Sequence, residues 1–181
     1  AVGSRGTVTA ASVVESKKGL NWSKTYKRGS EGTSGLKDET SGIALGDING
    51  DGYPEIVFLG DNLVYALDRS GLPVGGFPVK ITRGYPVFAF FSDPLVVDVN
   101  GDDTPEILVP SSDGIVYAYT GKGKSVNGQF PLAAGSLEML DSLGTIQPMS
   151  IFVANAVPDK KSAGPEIYAL HRENMSAFRL R

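Results

Sequence analysis

The chain of 181 residues carries 17 basic and 20 acidic side chains, a formal net charge of -3, and is 41% hydrophobic. That balance supplies enough apolar surface for a packed core and excludes an intrinsically disordered chain. It lacks the basic excess of a nucleic-acid binder, and with no cysteine it has neither disulfides nor thiolate metal sites. The densest basic stretch, Lys17 to Arg28, is broken by glycine and polar residues and reads as a solvated face. No apolar run approaches the ~20 residues of a membrane span. No leader is visible from Ala1, as expected of a chain that starts after processing or within a longer protein.

Glycines (23) and prolines (11) separate short runs of Val, Ile, Leu, Tyr and Phe, the punctuation of an all-β protein. Residues 1–40 read as the end of a structural unit plus a linker, with a β-branched run from Thr7, a Lys-Gly turn and then Trp22. Residues 41–91 read as a unit of four strands. Ser41 to Ile48 enters an acidic loop, Glu55 to Leu59 leaves it, Asn62 to Asp68 follows a turn, and Phe77 to Ile81 closes the set. Residues 92–147 repeat that pattern. DINGDGYPEIVF begins at Asp47 and DVNGDDTPEILV at Asp98, an offset of 98 − 47 = 51, and Val-Tyr-Ala and Phe-Pro recur downstream. Residues 148–181 are a degenerate third unit lacking its last strand, in which Pro-Glu-Ile recurs at Pro165.

A unit of about 50 residues with four antiparallel strands is what a β-propeller blade requires. The runs from Ile56 to Phe58 and from Leu63 to Tyr65 lack strict alternation, as expected of inner strands covered on both faces. The expected fold is therefore all-β, about three to three and a half four-stranded antiparallel blades of a propeller. Propellers close with about four to eight blades, so the ring is expected to complete through further blades of a longer chain or through a homodimer.

The segments D-x-N-x-D-G-x-P-E-I-V, V-Y-A and G-F-P resemble the FG-GAP or VCBS-type (integrin-α-like) repeats of extracellular propellers, over roughly Ser41 to Phe178. The Phe-Gly…Gly-Ala-Pro signature of the integrin repeat is not evident. Leu63 to Gly71 and Glu15 to Trp22 are also similar to the V-Y-A-L-D-x-x-T-G-x-x-x-W repeat of quinoprotein-type propellers.

The acidic loops have the chemistry of calcium sites, because calcium gathers six to eight carboxylate, amide, carbonyl and water oxygens. Alternate positions of a tight loop can point inward together. In the first loop Asp47, Asn49 and Asp51 would supply side-chain oxygens, Gly52 the sharp turn, Tyr53 its backbone carbonyl, and Glu55 the closing ligand. The second would use Asp98, Asn100, Asp102, the Thr104 carbonyl and Glu106. Two bound Ca2+ ions are expected. Asn-Gly and Asp-Gly would serve an ordinary hairpin equally well, but a hairpin has no need of three mutually repelling carboxylates.

Two departures stand out. The resemblance implies aspartate at position nine, where this chain has Glu55 and Glu106, and at position six the second loop has Asp103 in place of glycine. The second site is expected to be the weaker. The third loop, PDKKSAGPE from Pro158, places proline and lysine where ligands should stand, and no cation is expected there.

Catalysis finds little support. His171 is the lone histidine and reads as an ordinary strand residue. Gly121-Lys-Gly-Lys lacks the strand–loop–helix context of a phosphate loop. Trp22, Tyr85, Phe88 and Phe91 are candidates for a ligand-binding platform, although Phe88 and Phe90 have the period-2 spacing of a buried strand. Two readings follow: an extracytoplasmic, non-catalytic calcium-binding module for protein or glycan adhesion, or the propeller portion of a larger secreted enzyme, such as a polysaccharide lyase or quinoprotein-like oxidoreductase, whose catalytic residues lie elsewhere. Loops of this charge bind calcium at about 10⁻⁴–10⁻³ M in extracellular modules, which places the protein outside the cytosol.

Overall fold

Short β-branched and aromatic runs, each ended by glycine, proline or an aspartate turn, fold into strands too short to bury themselves alone. A computed structural model describes residues 2–4, 7–14, 17–25, 42–60, 63–81, 93–111, 114–134, 149–154, 165–171 and 174–180. These form four antiparallel sheets and contain no helix. The first sheet has β1 (Val2–Ser4), β2 (Thr7–Val14) and β3 (Lys17–Thr25). The second has β4 (Ala44–Gly46), β5 (Glu55–Gly60), β6 (Leu63–Leu67) and β7 (Val79–Lys80). The third has β8 (Leu95–Val97), β9 (Glu106–Pro110), β10 (Ile115–Tyr119) and β11 (Leu132–Ala133). The fourth has β12 (Met149–Ala154), β13 (Glu166–His171) and β14 (Asn174–Arg179).

The second and third sheets share an up-and-down order, β4-β5-β6-β7 and β8-β9-β10-β11, as the duplication requires. The likeness extends to single hydrogen bonds. The Asp68 N–H donates to the Leu72 carbonyl (2.8 Å) and the Val74 N–H to that of Ala66 (2.9 Å); Thr120 to Lys124 (2.8 Å) and Val126 to Ala118 (2.9 Å) repeat them. Both recurring Phe-Pro bonds, Phe77-Pro78 and Phe130-Pro131, are cis. The sheets are blades of a partial β-propeller.

The sequence reading errs in the first sheet. Lys18-Gly19 does not turn the chain but lies within β3, where Gly19 pairs with Ser12; the reversal falls between Val14 and Lys17. A register shift between Ala10 and Ala11 absorbs the irregularity in the opposite strand.

The core lies between blades. Val57 and Leu59 of β5 face Ile107 and Val109 of β9 in one apolar cluster, while Ile56 and Phe58 point to the opposite side, where Phe58 stacks on Tyr65 at 4.8 Å. Leu108, Val116 and Ala118 on the other face of the third sheet meet Met149, Ile151, Ile167 and Ala169 of the fourth. Inner strands β5 and β9 are thus covered on both sides, and burying each such side chain stabilises the fold by about 1.5–3 kcal/mol. Phe152, Leu170 and Met175 share the remaining face of the fourth sheet, where Phe152 is 60% and Met175 71% exposed.

Glycines allow the blades to approach. A Cβ on Gly46 would collide with Val96, one on Gly76 with the Lys122 carbonyl, and one on Gly121 with the Ile48 carbonyl. The Thr120–Lys124 turn of the third sheet therefore sits directly on the chain of the first acidic loop.

Candidate metal centre

Each acidic loop joins the outgoing end of one strand to the buried start of the next, β4 to β5 and β8 to β9. Asp47 organises the first. Its Oδ1 accepts the Gly50 N–H at 2.8 Å and the Asp51 N–H at 3.1 Å, and its Oδ2 accepts the Gly52 N–H at 2.8 Å. Asn49 Oδ1 accepts the Asp51 N–H (2.8 Å), and Asp51 Oδ1 accepts the Tyr53 N–H (2.9 Å). Short side chains bonding to amides two to five residues ahead wind the loop, and Gly50 (φ 78°) and Gly52 (φ 85°) supply its left-handed steps.

The second loop repeats these bonds and adds one, from the Asn100 N–H to Asp98 Oδ1 at 3.1 Å. Asp98 Oδ1 accepts from Gly101 (2.7 Å) and Asp102 (3.3 Å), its Oδ2 from Asp103 (2.9 Å), and Asp102 Oδ1 from Thr104 (2.8 Å). Asp103 adopts φ 64°, the left-handed conformation that Gly52 holds in the first loop. An aspartate fills a glycine's position here and keeps its amide bond to the first aspartate of the loop.

Glu55 and Glu106 close the two loops from inside. They are only 1% and 3% exposed, standing at the first residue of an inner strand. Glu55 Oε2 accepts the buried Ile48 N–H at 2.9 Å, and Glu106 Oε2 the Val99 N–H at 3.0 Å. This stapling role escaped the sequence reading, which treated both residues as ligands alone. The signal was present in the Pro-Glu-Ile step, because a carboxylate leading directly into an all-buried strand must find donors there.

The remaining carboxylate oxygens converge. Asn49 Nδ2 lies 3.4 Å from Asp51 Oδ2 and 3.0 Å from Glu55 Oε1. Asn100 Nδ2 lies 3.0 Å from both Asp102 Oδ2 and Glu106 Oε1. In each loop two anionic oxygens from opposite sides aim at one point, filled by the positive end of an amide dipole. Oxygen-only donors of this kind, carboxylate, amide and carbonyl together, fit a hard divalent cation. Among the described residues, no three Asp, Glu, His or Cys side chains are gathered closely enough to hold a metal by themselves. A full shell in either loop therefore needs its asparagine and backbone carbonyls as well.

The electrostatics divide each loop. Burial, reinforced by the charges of Asp51 and Asp47, raises the Glu55 pKa against the opposing Ile48 N–H bond. Burial, with Asp102 and Asp98, does the same to Glu106. Asp47 and Asp98 move the other way: partial desolvation pushes each up, but the combined backbone N–H bonds outweigh it and hold both below the usual aspartate range. The buried carboxylate is thus the uncomfortable one, and it sits against the point where the oxygens converge.

Part of the chain is similar to a known repeat. A family model described as the FG-GAP-like repeat matches residues 47–109, from the first aspartate of one loop to β9 beyond the other. Residues 47–109 carry an FG-GAP-like repeat. The matched span takes in both acidic loops, strands β5 to β8 and most of β9. No curated protein and no solved structure matches the chain.

The other predicted residues fare differently. His171 ends β13 opposite Met149 and Asn174, an ordinary strand position. Gly121 to Lys124 forms the inter-blade turn, capped by Thr120 Oγ1, which accepts the Lys122 and Lys124 amides at 3.4 and 3.3 Å. Tyr85, Phe88 and Phe91 lie outside the described residues, as do the side chain of Trp22 and the third loop from Pro158 to Gly164.

Proposed function

We propose that this protein is a non-catalytic, extracytoplasmic β-propeller module whose two acidic loops bind calcium and whose surface engages a protein or glycan partner. The observation that carries this reading is the pair of superimposable loops, each aiming a buried glutamate oxygen and an aspartate oxygen at one point. A bound calcium would replace the asparagine amide as the positive partner of both carboxylates. Asp47, Asn49, Asp51, the Tyr53 carbonyl and Glu55 would hold one ion, and Asp98, Asn100, Asp102, the Thr104 carbonyl and Glu106 the other. In a chain without disulfides, the calcium would rigidify the loops between inner and outer strands.

The open apolar face of the fourth sheet supports the partner part of the reading. The equivalent face of the third sheet is covered by the next blade, so a further blade, from a longer chain or a second copy, is proposed to cover Phe152, Leu170 and Met175. Tyr85, Phe88, Phe91 and Trp22 remain the proposed contacts for a ligand. Because extracellular modules bind calcium at about 10⁻⁴–10⁻³ M, the sites would fill only outside the cytosol.

The test is thermal unfolding in ~2 mM calcium against excess chelator, with magnesium as control. Sites with a dissociation constant of ~0.2 mM each contribute RT ln 11, about 1.4 kcal/mol. Two should raise the midpoint by roughly 5–10 °C, unmatched by magnesium. An unchanged midpoint would leave the loops as acidic turns and remove the basis for the calcium reading.

A further inference from the structure

Three glutamates occupy the same place in three consecutive sheets. Glu55, Glu106 and Glu166 each follow a proline, each open the second strand of their sheet, and each are buried. They differ in what faces them across the strand pair. Extending the Ile56↔Leu67 register by one residue puts Asp68 opposite Glu55, and extending Ile107↔Tyr119 puts Thr120 opposite Glu106. Opposite Glu166 stands Arg179.

Asp68 and Thr120 turn away to serve the following turn, where Asp68 Oδ1 accepts the Ser70 and Leu72 amides at 2.8 and 2.9 Å. Arg179 turns inward. Its Nη2 donates to Glu166 Oε1 at 2.8 Å and its Nε to the same oxygen at 3.2 Å, while the Tyr168 hydroxyl donates to Oε2 at 2.8 Å. One oxygen of this buried carboxylate is thus held by a full positive charge, where an asparagine amide holds one in each acidic loop.

We infer that Arg179 is a built-in counter-ion that takes, in the fourth sheet, the charge role a bound cation would take in the second and third. This rests on the calcium reading of the first two loops. The loop sequence agrees: where the others carry ligands, the third has Pro158, Lys160 and Ser162. The buried glutamate has been kept while its partner has changed from an exchangeable ion to a tethered guanidinium. A carboxylate whose side chain is only 11% exposed needs such a partner, whereas Arg179, with its side chain 48% exposed, has no comparable need of the glutamate. The fourth sheet is accordingly insensitive to calcium.

Segment-resolved hydrogen exchange of the whole chain, with and without calcium, tests this on wild type, Arg179→Met and Arg179→Lys. In wild type, calcium is expected to slow exchange in residues 47–57 and 98–108 and to leave 166–179 unchanged. Arg179→Met should speed exchange in 166–179 about fivefold, equally with and without calcium. Arg179→Lys, which keeps the charge but loses the fork and folds under milder perturbation, should fall between. Calcium protection of 166–179 in wild type equal to that of the other two segments would overturn the inference. So would unchanged exchange there in Arg179→Met. Absence of calcium protection at 47–57 and 98–108 would overturn the calcium reading and the substitution built on it. The effect of Arg179→Met, read in chelator, would then still report whether the arginine holds the sheet.

Discussion

The two acidic loops are copies on the inside and strangers on the outside. The second loop repeats the first loop's internal hydrogen bonds and adds only that of the Asn100 N–H to Asp98, yet their surroundings differ. The first loop lies under the Thr120–Lys124 turn, with Gly121 against the Ile48 carbonyl, and carries the exposed Tyr53, on whose ring Arg69 stacks at 4.1 Å. The second has Thr104 in place of that tyrosine and Asp103 at the left-handed position. Continuing the strand register makes Leu180 the counterpart of Gly121, and Leu180 is buried in the same apolar cluster as Val99. A loop's winding is dictated within a dozen residues of sequence. Its seating is dictated by the neighbouring blade.

The largest test of that difference is Gly121→Ala. The added methyl would overlap the Ile48 backbone, which a side-chain rotation cannot relieve, so the two blades must part. A loss of about 2–4 kcal/mol is expected in denaturant titration, with hydrogen exchange rising in the first loop and not in the second. Equal loosening of both loops would show that the turn does not seat the first one specifically.

Next come Glu55→Ala and Glu106→Ala, which should cost alike because the internal bonding is alike. Each leaves a buried N–H, that of Ile48 or Val99, without its acceptor, for about 1–3 kcal/mol. Markedly unequal losses would mean that seating, not winding, governs the staple.

Asp47→Asn and Asp98→Asn probe the two proposed calcium sites separately. Each should remove one site, about 1.4 kcal/mol of the calcium-dependent stabilisation at ~2 mM calcium, and leave the other intact. Differential scanning calorimetry at two calcium concentrations would read this. The smallest effect belongs to Asp103→Gly, which relieves the left-handed strain of a residue with a Cβ while keeping the backbone N–H bond to Asp98. A gain of about 0.5 kcal/mol is expected in chelator.

Most of this molecule is legible in its sequence because its information is local. The period of the repeat, the Asn-Gly and Asp-Gly steps and the β-branched runs specify strands and loops within a few residues of one another. Asp103 at positive φ follows directly from its alignment with Gly52. What stayed hidden depends on pairing across strands or blades. Lys18-Gly19 has the look of a turn, but cross-strand bonding to β2 overrides a single glycine's preference. Arg179 is one charged residue among 17 basic ones until the register places it opposite Glu166. Gly121 reads as part of a glycine-lysine turn, and only the neighbouring sheet reveals that its missing side chain is the point.

The central claim is that two loops take calcium and the third has exchanged it for an arginine. Calcium stoichiometry by isothermal titration on the whole chain tests it most directly. The account predicts two ions per chain in wild type and one in Asp47→Asn. No binding in wild type, or a third ion of similar affinity, would contradict it.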